Sequence, residues 1–525
     1  MVAPIAAYLG YVSRYGVNVV SWDEWDIVPL IHSLRTGTLT FAQLWSPHNE
    51  HRMLVPNLIF LLIAQIAAFD TKALMYLSAC LLMISYLLLV LTYRRRQNML
   101  LGIAPVAYLV FSLAQSENTL WGFQLAWYIV LACLFGVMYC LEQAGNNRLA
   151  FTLGIILAVV ASFSSFPGLF LWPVGLIYVM RSKFTPKQRL AWIGFGLLTV
   201  LGYLRDLGAG SAAGILLSRL VSHPVESGAY FFVAIGSVIP ISGAEDFVPC
   251  LFGLILCAFA VYGVIEGRIR ARSDEAFLAP IALVTFAFIF DATLVVGRSG
   301  SGVAQAESSR YTTYNLLLMI GSYLALLRLL ITRHERDAVI PALAGAFALL
   351  LFVQISVSSW AGFWAGRGTR HSRIQAADLL VNYRTAPPSL ITRYLNPVPE
   401  VFRVRAAILE QEHLSVFATP SAAVYAEGGI VPGGRIGSVL PIPQPLAPLL
   451  QRDASLLHAW KRLSALYFLR PDLREAFPQV SGDGILRLLS WATTSGITTD
   501  SDSAFLIPYA QQLLRLRAAM AASGG

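Results

Sequence analysis

Residues 73–92 read ALMYLSACLLMISYLLLVLT, a run without a single charged residue. A helix of this length rises about 30 Å, which is the thickness of the hydrocarbon core of a bilayer. Comparable uncharged runs recur at 125–141, 277–290 and 338–357. The sequence therefore predicts an all-α protein that crosses a membrane many times.

The composition points to the same class. Hydrophobic residues make up 56% of the chain and charged residues 13%, and the mean hydropathy is +0.64. Soluble domains carry about 25% charged residues. The net charge of +9 does not indicate a nucleic-acid partner, because the basic residues cluster in short loops between apolar runs, as the positive-inside rule describes. The five cysteines lie in or beside apolar runs without metal-binding spacing, which favours a packing role.

The basic loops also predict a topology. Loops rich in Lys and Arg alternate with loops that are poor in them, as expected for inside and outside loops. The alternation holds only if 55–69 and 230–241, which are short for a span, lie along the outer membrane face. We then expect about eleven transmembrane helices, starting with the first apolar segment. The N-terminus is predicted to be cytoplasmic and everything after Val357 to be outside.

The chain becomes more polar and richer in proline after residue 357. Helical periodicity predicts amphipathic helices at 401–413, 456–466 and 505–520, and the string 415–418 is typical of a short strand. We therefore divide the chain into a membrane domain, 1–357, and a smaller, mostly helical soluble domain, 358–525.

An acidic and aromatic string, SWDEWD, occupies residues 21–26 directly after the first apolar segment. Carboxylates are costly to desolvate at the edge of a bilayer, and tryptophan prefers that depth. Three carboxylates, Asp23, Glu24 and Asp26, at such a place indicate a functional use. We expect 21–52 to be an outside loop that carries the active site.

The same loop ends in a second group of functional side chains, His48, Glu50, His51 and Arg52. They offer acid and base groups, metal ligands and a guanidinium fork for an anion. His48 and His51 are three residues apart and would share one face of a helix. The alternative is that these residues are the solvated polar start of an interfacial helix.

The next outside loop contains Glu117, Asn118 and Trp121. The first two are candidates for binding sugar hydroxyls, and the tryptophan is a candidate for stacking on a sugar face. An equally good interpretation is a capped start of a helix with an interfacial tryptophan.

Arg310 is predicted to lie at the outer end of a span, with Arg298 as its only basic neighbour in the loop. A cation on the outer face runs against the positive-inside bias and suggests an anionic partner such as a lipid phosphate. The alternative is an internal ion pair with Glu307 or with an acidic residue of the first loop. Asp291 is a further ionisable residue, either at membrane depth or just beyond the end of a span.

In its order of features the chain resembles the GT-C superfamily of polytopic membrane glycosyltransferases. Asp23 and Glu24 stand where that group has its acidic motif, and 55–69 matches a juxtamembrane helix. The strings HNEHR at 48–52, SENTLWGFQ at 116–124 and SSRYTTY at 308–314 look like features of bacterial members. The resemblance covers about 1–357. It implies a GT-C-like fold in the bacterial cytoplasmic membrane with an extracytoplasmic C-terminal domain.

The resemblance also implies a reaction, the inverting transfer of a sugar from a polyprenyl-phosphate donor to an envelope glycan, lipid or protein. Asp23 would be the general base, Asp26 the second choice, and Glu24 would tune the base or bind the acceptor. The anionic leaving group needs positive charge rather than an acid. The residues expected to bind the donor phosphate are Arg52, Arg310, His48 and His51.

The remaining predicted contacts are with substrate, through Glu50, Glu117, Asn118 and Trp121. No cofactor is assigned to the reaction. A divalent metal held by Glu50 with His48 or His51 is an alternative that the pattern allows. Membrane lipid is an expected partner, and nucleic acid is not.

Three other functions compete with this interpretation. A transporter or lipid flippase would need ionisable residues at mid-membrane depth on several spans. A non-catalytic membrane scaffold would use the C-terminal region to bind a cell-envelope partner. An O-antigen polymerase or ligase would carry its large outside loop late in the chain rather than after the first span.

Overall fold

The fold is all-helical in the part of the chain that the computed structural model describes. The described residues are 2–94, 101–145, 147–205, 207, 222–241, 246–270, 274–333, 337–384, 386, 388–395, 399–418, 440, 442–469, 473, 476–477, 483–494 and 510–522. No β-strand occurs within these ranges, where a single antiparallel bridge joins His48 to His51. The all-α prediction is confirmed for this part of the chain.

The α-helices in the N-terminal half, in chain order, are α1 (Val2–Tyr15), α2 (Val28–Arg35), α3 (Phe41–Trp45), α4 (Leu54–Ile66), α5 (Thr71–Arg94), α6 (Ala104–Val110), α7 (Ser116–Thr119), α8 (Leu125–Gln143), α9 (Arg148–Ser162), α10 (Leu171–Val179), α11 (Pro186–Leu204), α12 (Pro224–Gly236) and α13 (Phe247–Arg270). The C-terminal half continues with α14 (Leu278–Arg298), α15 (Thr312–Thr332), α16 (Val339–Val381), α17 (Pro388–Tyr394), α18 (Pro399–Gln411), α19 (Ala447–Arg452), α20 (Ala454–Leu469), α21 (Asp483–Thr494) and α22 (Ala510–Ala522).

Six of the described helices are long and apolar enough to cross a membrane. They are α5, α8 with its preceding turn, α13, α14, α15 and α16. The predicted count of about eleven is not confirmed. The first apolar segment forms α1, whose 14 residues rise only about 21 Å and fall short of the hydrocarbon core. The segments 55–69 and 230–241 are largely helical, in α4 and α12, and both helices are shorter than a span.

The chain divides into two compact units. The first unit comprises Met1–Gly16, Thr38–Leu62 and Lys72–Thr369, and the second comprises Val17–Gly37, Ile63–Thr71 and Arg370–Gly525. The sequence-based division at residue 357 did not anticipate two features of this packing. Helix α16 continues without a break from Val339 to Val381, and the acidic string belongs to the same unit as the C-terminal region.

Within the first unit, glycines allow neighbouring apolar helices to approach at backbone distance. A Cβ atom on Gly253 of α13 would lie 1.9 Å from the Phe232 carbonyl oxygen of α12. A Cβ atom on Gly236 of α12 would lie 1.8 Å from the Pro249 carbonyl oxygen. Small residues have this role in helix pairs within membranes, where close van der Waals packing drives association.

The start of α5 meets the end of α1. The Lys72 ammonium donates a hydrogen bond to the Ser13 carbonyl oxygen at 2.9 Å, and Gly16 packs against Met75. The C-terminal end of α1 and the N-terminal end of α5 therefore lie at the same level of the unit. In the predicted topology these two ends are joined by an outside loop, so they are expected on the same side of the membrane.

The second unit has its own hydrophobic core, in which α20, α21 and α22 pack together. Trp460 and Leu463 of α20, Leu488 of α21 and Leu516 of α22 are completely buried in it. The predicted helices at 401–413 and 456–466 are confirmed as α18 and α20. The helix predicted at 505–520 is confirmed as α22 from residue 510 onward, while 505–509 lie outside the described residues.

The strand predicted at 415–418 is wrong, because Ser415–Phe417 form a single 3₁₀ turn. A strand needs a neighbouring strand to satisfy its backbone groups. Here the Ser415 N–H donates instead to the Ala68 carbonyl oxygen at 2.7 Å, within the same unit. The backbone of Ser415 is left-handed, with φ at 52°, which breaks an extended conformation.

Substitution of Gly253 by alanine should destabilise the first unit. The added methyl group would overlap the Phe232 carbonyl oxygen, and α12 and α13 would have to separate at a cost of about 1–3 kcal/mol. Thermal unfolding of the full chain in detergent measures the effect. The matched control is Gly345→Ala in α16, where no atom lies within 4 Å of the added Cβ and stability should stay equal or rise slightly. Equal melting of the two variants would contradict this packing.

Candidate functional site

The loop residues His48–His51 form a tight turn rather than a helix. The backbone groups of His48 and His51 exchange hydrogen bonds of 2.8 and 2.9 Å. Asn49, between them, has a left-handed φ of 52°, which asparagine tolerates better than most residues. The expectation that the two histidines share a helix face is therefore wrong, and the turn presents Glu50 at its tip.

Glu50 is the centre of an ionic cluster in the first unit. The Arg298 guanidinium, at the end of α14, donates to the Glu50 carboxylate, and His51 Nε2 lies 3.7 Å from the same oxygen. The Tyr203 hydroxyl of α11 donates to the Glu50 carbonyl oxygen at 2.7 Å. Its neighbour His51 and two distant parts of the chain, α11 and the end of α14, thus hold this glutamate.

The neighbouring charges keep the Glu50 carboxyl ionised. Partial burial acts to raise its pKa, but the combined effect of His51 and Arg298 holds the pKa below its ordinary value. The His51 ring is fixed from its other side, where the Phe166 N–H lies 3.2 Å from Nδ1. His48, the first residue of the turn, packs its ring against that of Phe123, with 5.2 Å between the ring centroids.

This geometry lends no support to a metal ion at the turn. Glu50 is engaged by an arginine, and His51 Nδ1 accepts a backbone hydrogen bond. Across the described ranges, no group of three or more His, Cys, Asp or Glu side chains is arranged to hold a metal.

Arg52, a predicted phosphate-binding residue, is committed to the backbone of the first unit. Its side chain is only 1% exposed, and its three nitrogens donate to the carbonyl oxygens of Tyr203, Trp45 and Arg205. Its guanidinium also lies 4.9 Å from the Trp45 ring centroid. Two of these carbonyls belong to the C-terminal end of α11, where a cation is favourable. The contacts give Arg52 a structural role and leave little of it for a phosphate.

Arg310 forms a second ionic cluster with Glu117. Its Nε atom lies 3.0 Å from the Ser308 hydroxyl and 3.4 Å from a Glu117 carboxylate oxygen. The Ser308 hydroxyl donates to the other Glu117 oxygen at 3.1 Å, and the Glu117 N–H donates to the Ser309 hydroxyl. Arg310 therefore forms an internal ion pair, but with Glu117 rather than with Glu307 or an acidic residue of the first loop.

Glu307, the partner first considered for Arg310, lines a separate small pocket. The pocket has a volume of about 200 Å³ and includes Ser237 and Pro249 in its wall. Burial, and after it the nearby Asp246 carboxylate, raises the pKa of Glu307.

Two tyrosines lie close to both arginines. Burial raises the pKa of Tyr230, on α12, and of Tyr311, just before α15, while Arg298 and Arg310 both act to lower it. Both hydroxyls therefore stay protonated at neutral pH. The Tyr230 side chain is completely buried, and its hydroxyl lacks a hydrogen-bond partner of good geometry among the described residues. We call the two arginines and this hydroxyl the Arg298–Arg310 site, a candidate site for an anion.

Asn118 and Trp121 lie inside the protein. The Asn118 amide donates to the Arg310 carbonyl oxygen and to the Thr313 hydroxyl, both at 2.8 Å. Trp121 is buried and stacks on Phe123 at 5.8 Å. Asn118 therefore positions Arg310, and neither side chain is placed to meet a sugar from solvent.

The acidic string belongs to the second unit, where two of its carboxylates have assigned partners. Glu24 is buried and accepts hydrogen bonds from the Ser21 N–H at 2.9 Å and from its hydroxyl, which caps the 3₁₀ helix Trp22–Asp26. Asp26 pairs with Arg405 of α18 at 2.5 Å. Asp23 is half-buried on the same turn.

The clusters contain candidate functional residues that the sequence-based prediction missed. Arg298 was recognised only as a neighbour of Arg310, and Tyr230, Tyr203 and Ser308 were not singled out. The available signal was weak: Arg298 and Arg310 are the two cations of a loop otherwise rich in glycine and serine. Their glutamate partners lie too far away in the chain to be inferred from spacing.

Glu50→Gln should reduce stability at neutral pH and have less effect in acid. Because the folded-state pKa of Glu50 lies below its unfolded value, its stabilisation is complete above the unfolded value and is lost as the pH falls through the folded one. The loss at pH 7 should be at most about 1 kcal/mol, since the pair is partly exposed. Thermal unfolding at pH 7 and at successively lower pH measures it, with the exposed Glu400→Gln as control. A difference from wild type that stays constant with pH would contradict the ionic role.

In comparisons with protein-family models, with curated proteins and with solved structures, no match to this chain was found.

Proposed function

We propose that this protein is a membrane glycosyltransferase that moves a sugar from a polyprenyl-phosphate donor to an acceptor in the cell envelope. In this proposal it has a GT-C-like architecture in the bacterial cytoplasmic membrane. The catalytic loop and the C-terminal region face outward. The acceptor is an envelope glycan, lipid or protein, and nucleic acid has no part in the reaction.

The observation that carries the proposal is the Arg298–Arg310 site. Arg298 ends α14 and Arg310 precedes α15, so that both lie in the connection between two apolar helices. The ends of spanning helices lie at the depth of the lipid headgroups. A lipid-linked phosphate would therefore reach this site without leaving the membrane.

Each arginine keeps donors for a phosphate in spite of its carboxylate partner. Arg310 uses Nε for Ser308 and Glu117, and Arg298 uses one Nη for Glu50. Their other guanidinium nitrogens have no partner within the described residues, and a guanidinium offers five donors. The buried Tyr230 hydroxyl adds a neutral donor. Charge-assisted hydrogen bonds of this kind favour a phosphate oxygen.

The same groups suit the chemistry of a leaving phosphate. The acceptor oxygen bonds to the anomeric carbon while the bond from that carbon to the phosphate oxygen breaks, and the electron pair stays on the lipid phosphate. Two positive charges already in place stabilise this developing charge without rearrangement. The acceptor proton passes to a carboxylate acting as general base.

Asp23 is the proposed base. The resemblance to the GT-C superfamily suggests the string Asp23–Asp26, and the contacts within the second unit favour one member of it. Glu24 caps the turn, and Asp26 is paired with Arg405. Asp23 stands at the position of the acidic motif that the resemblance suggests, and its side chain is half-buried rather than buried like that of Glu24.

A transporter or flippase is the second candidate, and one observation favours it. Asp291 lies in α14 with 0% of its surface exposed, and neither carboxylate oxygen has a hydrogen-bond partner in the described part of the chain. Ionisable residues within spanning helices are typical of proton and ion pathways. Net movement of a lipid or an ion that depends on Asp291, without sugar transfer, would favour this function.

Arg310→Ala and Arg298→Ala should each weaken binding of a polyprenyl phosphate. Removal of charge-assisted hydrogen bonds costs about 1.5–3 kcal/mol, which corresponds to roughly a tenfold to hundredfold loss of affinity. Titration of the purified full chain with a polyprenyl phosphate measures the loss. The matched control is Arg333→Ala, at the opposite end of α15 from Arg310. Unchanged affinity in both test variants would remove the basis of the proposed phosphate site.

Asp23→Asn should lower the rate of sugar transfer by at least about a hundredfold, because general-base catalysis contributes on this scale. The substitution keeps the shape of the side chain, so the melting temperature and donor binding should stay close to wild type. The assay follows transfer from a radiolabelled polyprenyl-phosphate sugar to an envelope extract, with the exposed Glu400→Gln as control. Full activity of Asp23→Asn would refute the base assignment but not the phosphate site.

A further inference from the structure

Helix α16 is longer than a bilayer is thick. Its 43 residues rise about 65 Å, against about 40–45 Å for a bilayer including its headgroups. The helix carries no charge from Val339 to Gly366, a stretch of about 42 Å, and its first charged residue is Arg367. If the uncharged stretch spans the bilayer, Arg367 lies at the depth of the headgroups on one side.

One face of this part of α16 is packed inside the first unit. The Tyr11 hydroxyl of α1 donates to the Gly362 carbonyl oxygen at 2.7 Å. A Cβ atom on Gly366 would lie 2.8 Å from atoms of Tyr11 and Tyr15, and one on Gly362 would lie 2.3 Å from Leu113. Gly362 and Gly366 therefore form a small-residue contact of the Gly-x-x-x-Gly type, which fixes the rotation of the helix.

The opposite face presents an exposed aromatic group. Trp360 is 67% exposed and Trp364 is 49% exposed, and Phe363 lies beside them with a large exposed area. The Trp360 and Trp364 rings pack edge to face at 5.8 Å, and Phe363 packs on Trp364 at 5.5 Å. Tryptophans prefer the interfacial depth of a bilayer. We call these three rings with Arg367 the Trp360–Arg367 patch.

The guanidinium of Arg367 packs against these rings. It lies 5.0 Å from the Trp364 ring centroid and 5.9 Å from that of Phe363. Within the described residues Arg367 forms no ion pair, and its side chain is exposed. Stacking on two rings holds the guanidinium in place while its N–H donors remain available.

We propose that the Trp360–Arg367 patch binds the phosphate headgroup of an anionic phospholipid at the membrane surface. The guanidinium supplies charge-assisted hydrogen bonds to the phosphate, and the rings bury against the upper part of the acyl chains. An anionic headgroup complements the positive charge of Arg367, which forms no ion pair within the described residues. A zwitterionic headgroup brings its own ammonium group and complements it less well. This proposal is independent of the Arg298–Arg310 site and of sugar transfer.

The test compares lipid retention by the full chain in nanodiscs that contain phosphatidylglycerol and phosphatidylcholine in equal amounts. The number of each lipid that stays bound is measured by native mass spectrometry. Wild type should retain phosphatidylglycerol in preference. Arg367→Ala should reduce this preference about fivefold, the effect of about one basic residue near an anionic surface. Arg367→Lys, which keeps the charge, should retain most of it.

The control is Arg333→Ala, which removes another exposed arginine from the first unit. Its lipid preference should equal that of wild type. The proposal is overturned if wild type shows no preference for phosphatidylglycerol, if Arg367→Ala retains it unchanged, or if both alanine variants lose it equally. The melting temperature of Arg367→Ala in phosphatidylcholine alone should match wild type, which separates lipid recognition from loss of fold.

Discussion

Charged side chains beside apolar helices must find partners, and this requirement organises the loops of the first unit. Arg52 gives its donors to carbonyl oxygens at the end of α11, Arg298 pairs with Glu50, and Arg310 pairs with Glu117. Each pairing ties a loop to the end of a helix distant in the chain. Arg52 is almost fully buried, and because a buried charge is costly when unpaired, its contacts hold the loop conformation most firmly. The pairs of Arg298 and Arg310 are partly exposed and contribute less. Arg298 and Arg310 both lie close to Tyr230 and Tyr311. Each arginine also keeps N–H donors that have no partner within the described residues.

The proposed reaction uses the remaining N–H donors of Arg298 and Arg310. A lipid phosphate needs fixed positive charge at the depth of the headgroups, and the connection between α14 and α15 provides two arginines. Asn118 is the clearest example of a residue that serves such a site indirectly, since its amide holds the Arg310 backbone rather than any ligand. In the second unit, two carboxylates of the acidic string likewise have structural contacts. Glu24 accepts a hydrogen bond that closes the turn, and Asp26 pairs with Arg405 of α18.

Local patterns predicted most helices well and predicted turns poorly. The uncharged run at 73–92 and the amphipathic run at 456–466 are helices in the structure, because hydrophobic periodicity is a property of the segment itself. The spacing of His48 and His51 predicts a shared helix face, and it does not indicate the left-handed backbone of Asn49, which turns the chain there. The string 415–418 has the composition of a strand, but its backbone finds its partner in a distant loop. Six helices within the described ranges are long and apolar enough to cross a membrane, and the predicted count of about eleven spans is not confirmed.

The sequence by itself determined the class of the protein: an all-helical chain with apolar helices long enough to span a membrane, and carboxylates, histidines and arginines concentrated in the loops. The hydrophobicity and the length of a segment are sums over its own residues, so they can be read without knowing which other segments it contacts. The tertiary structure alone decided which charges meet. Glu50 and Arg298 are 248 residues apart, and Glu117 is 191 residues from Ser308, which links it to Arg310. Such pairs depend on how helices pack, and that packing depends on close contacts such as Gly253 against Phe232, which no local pattern specifies.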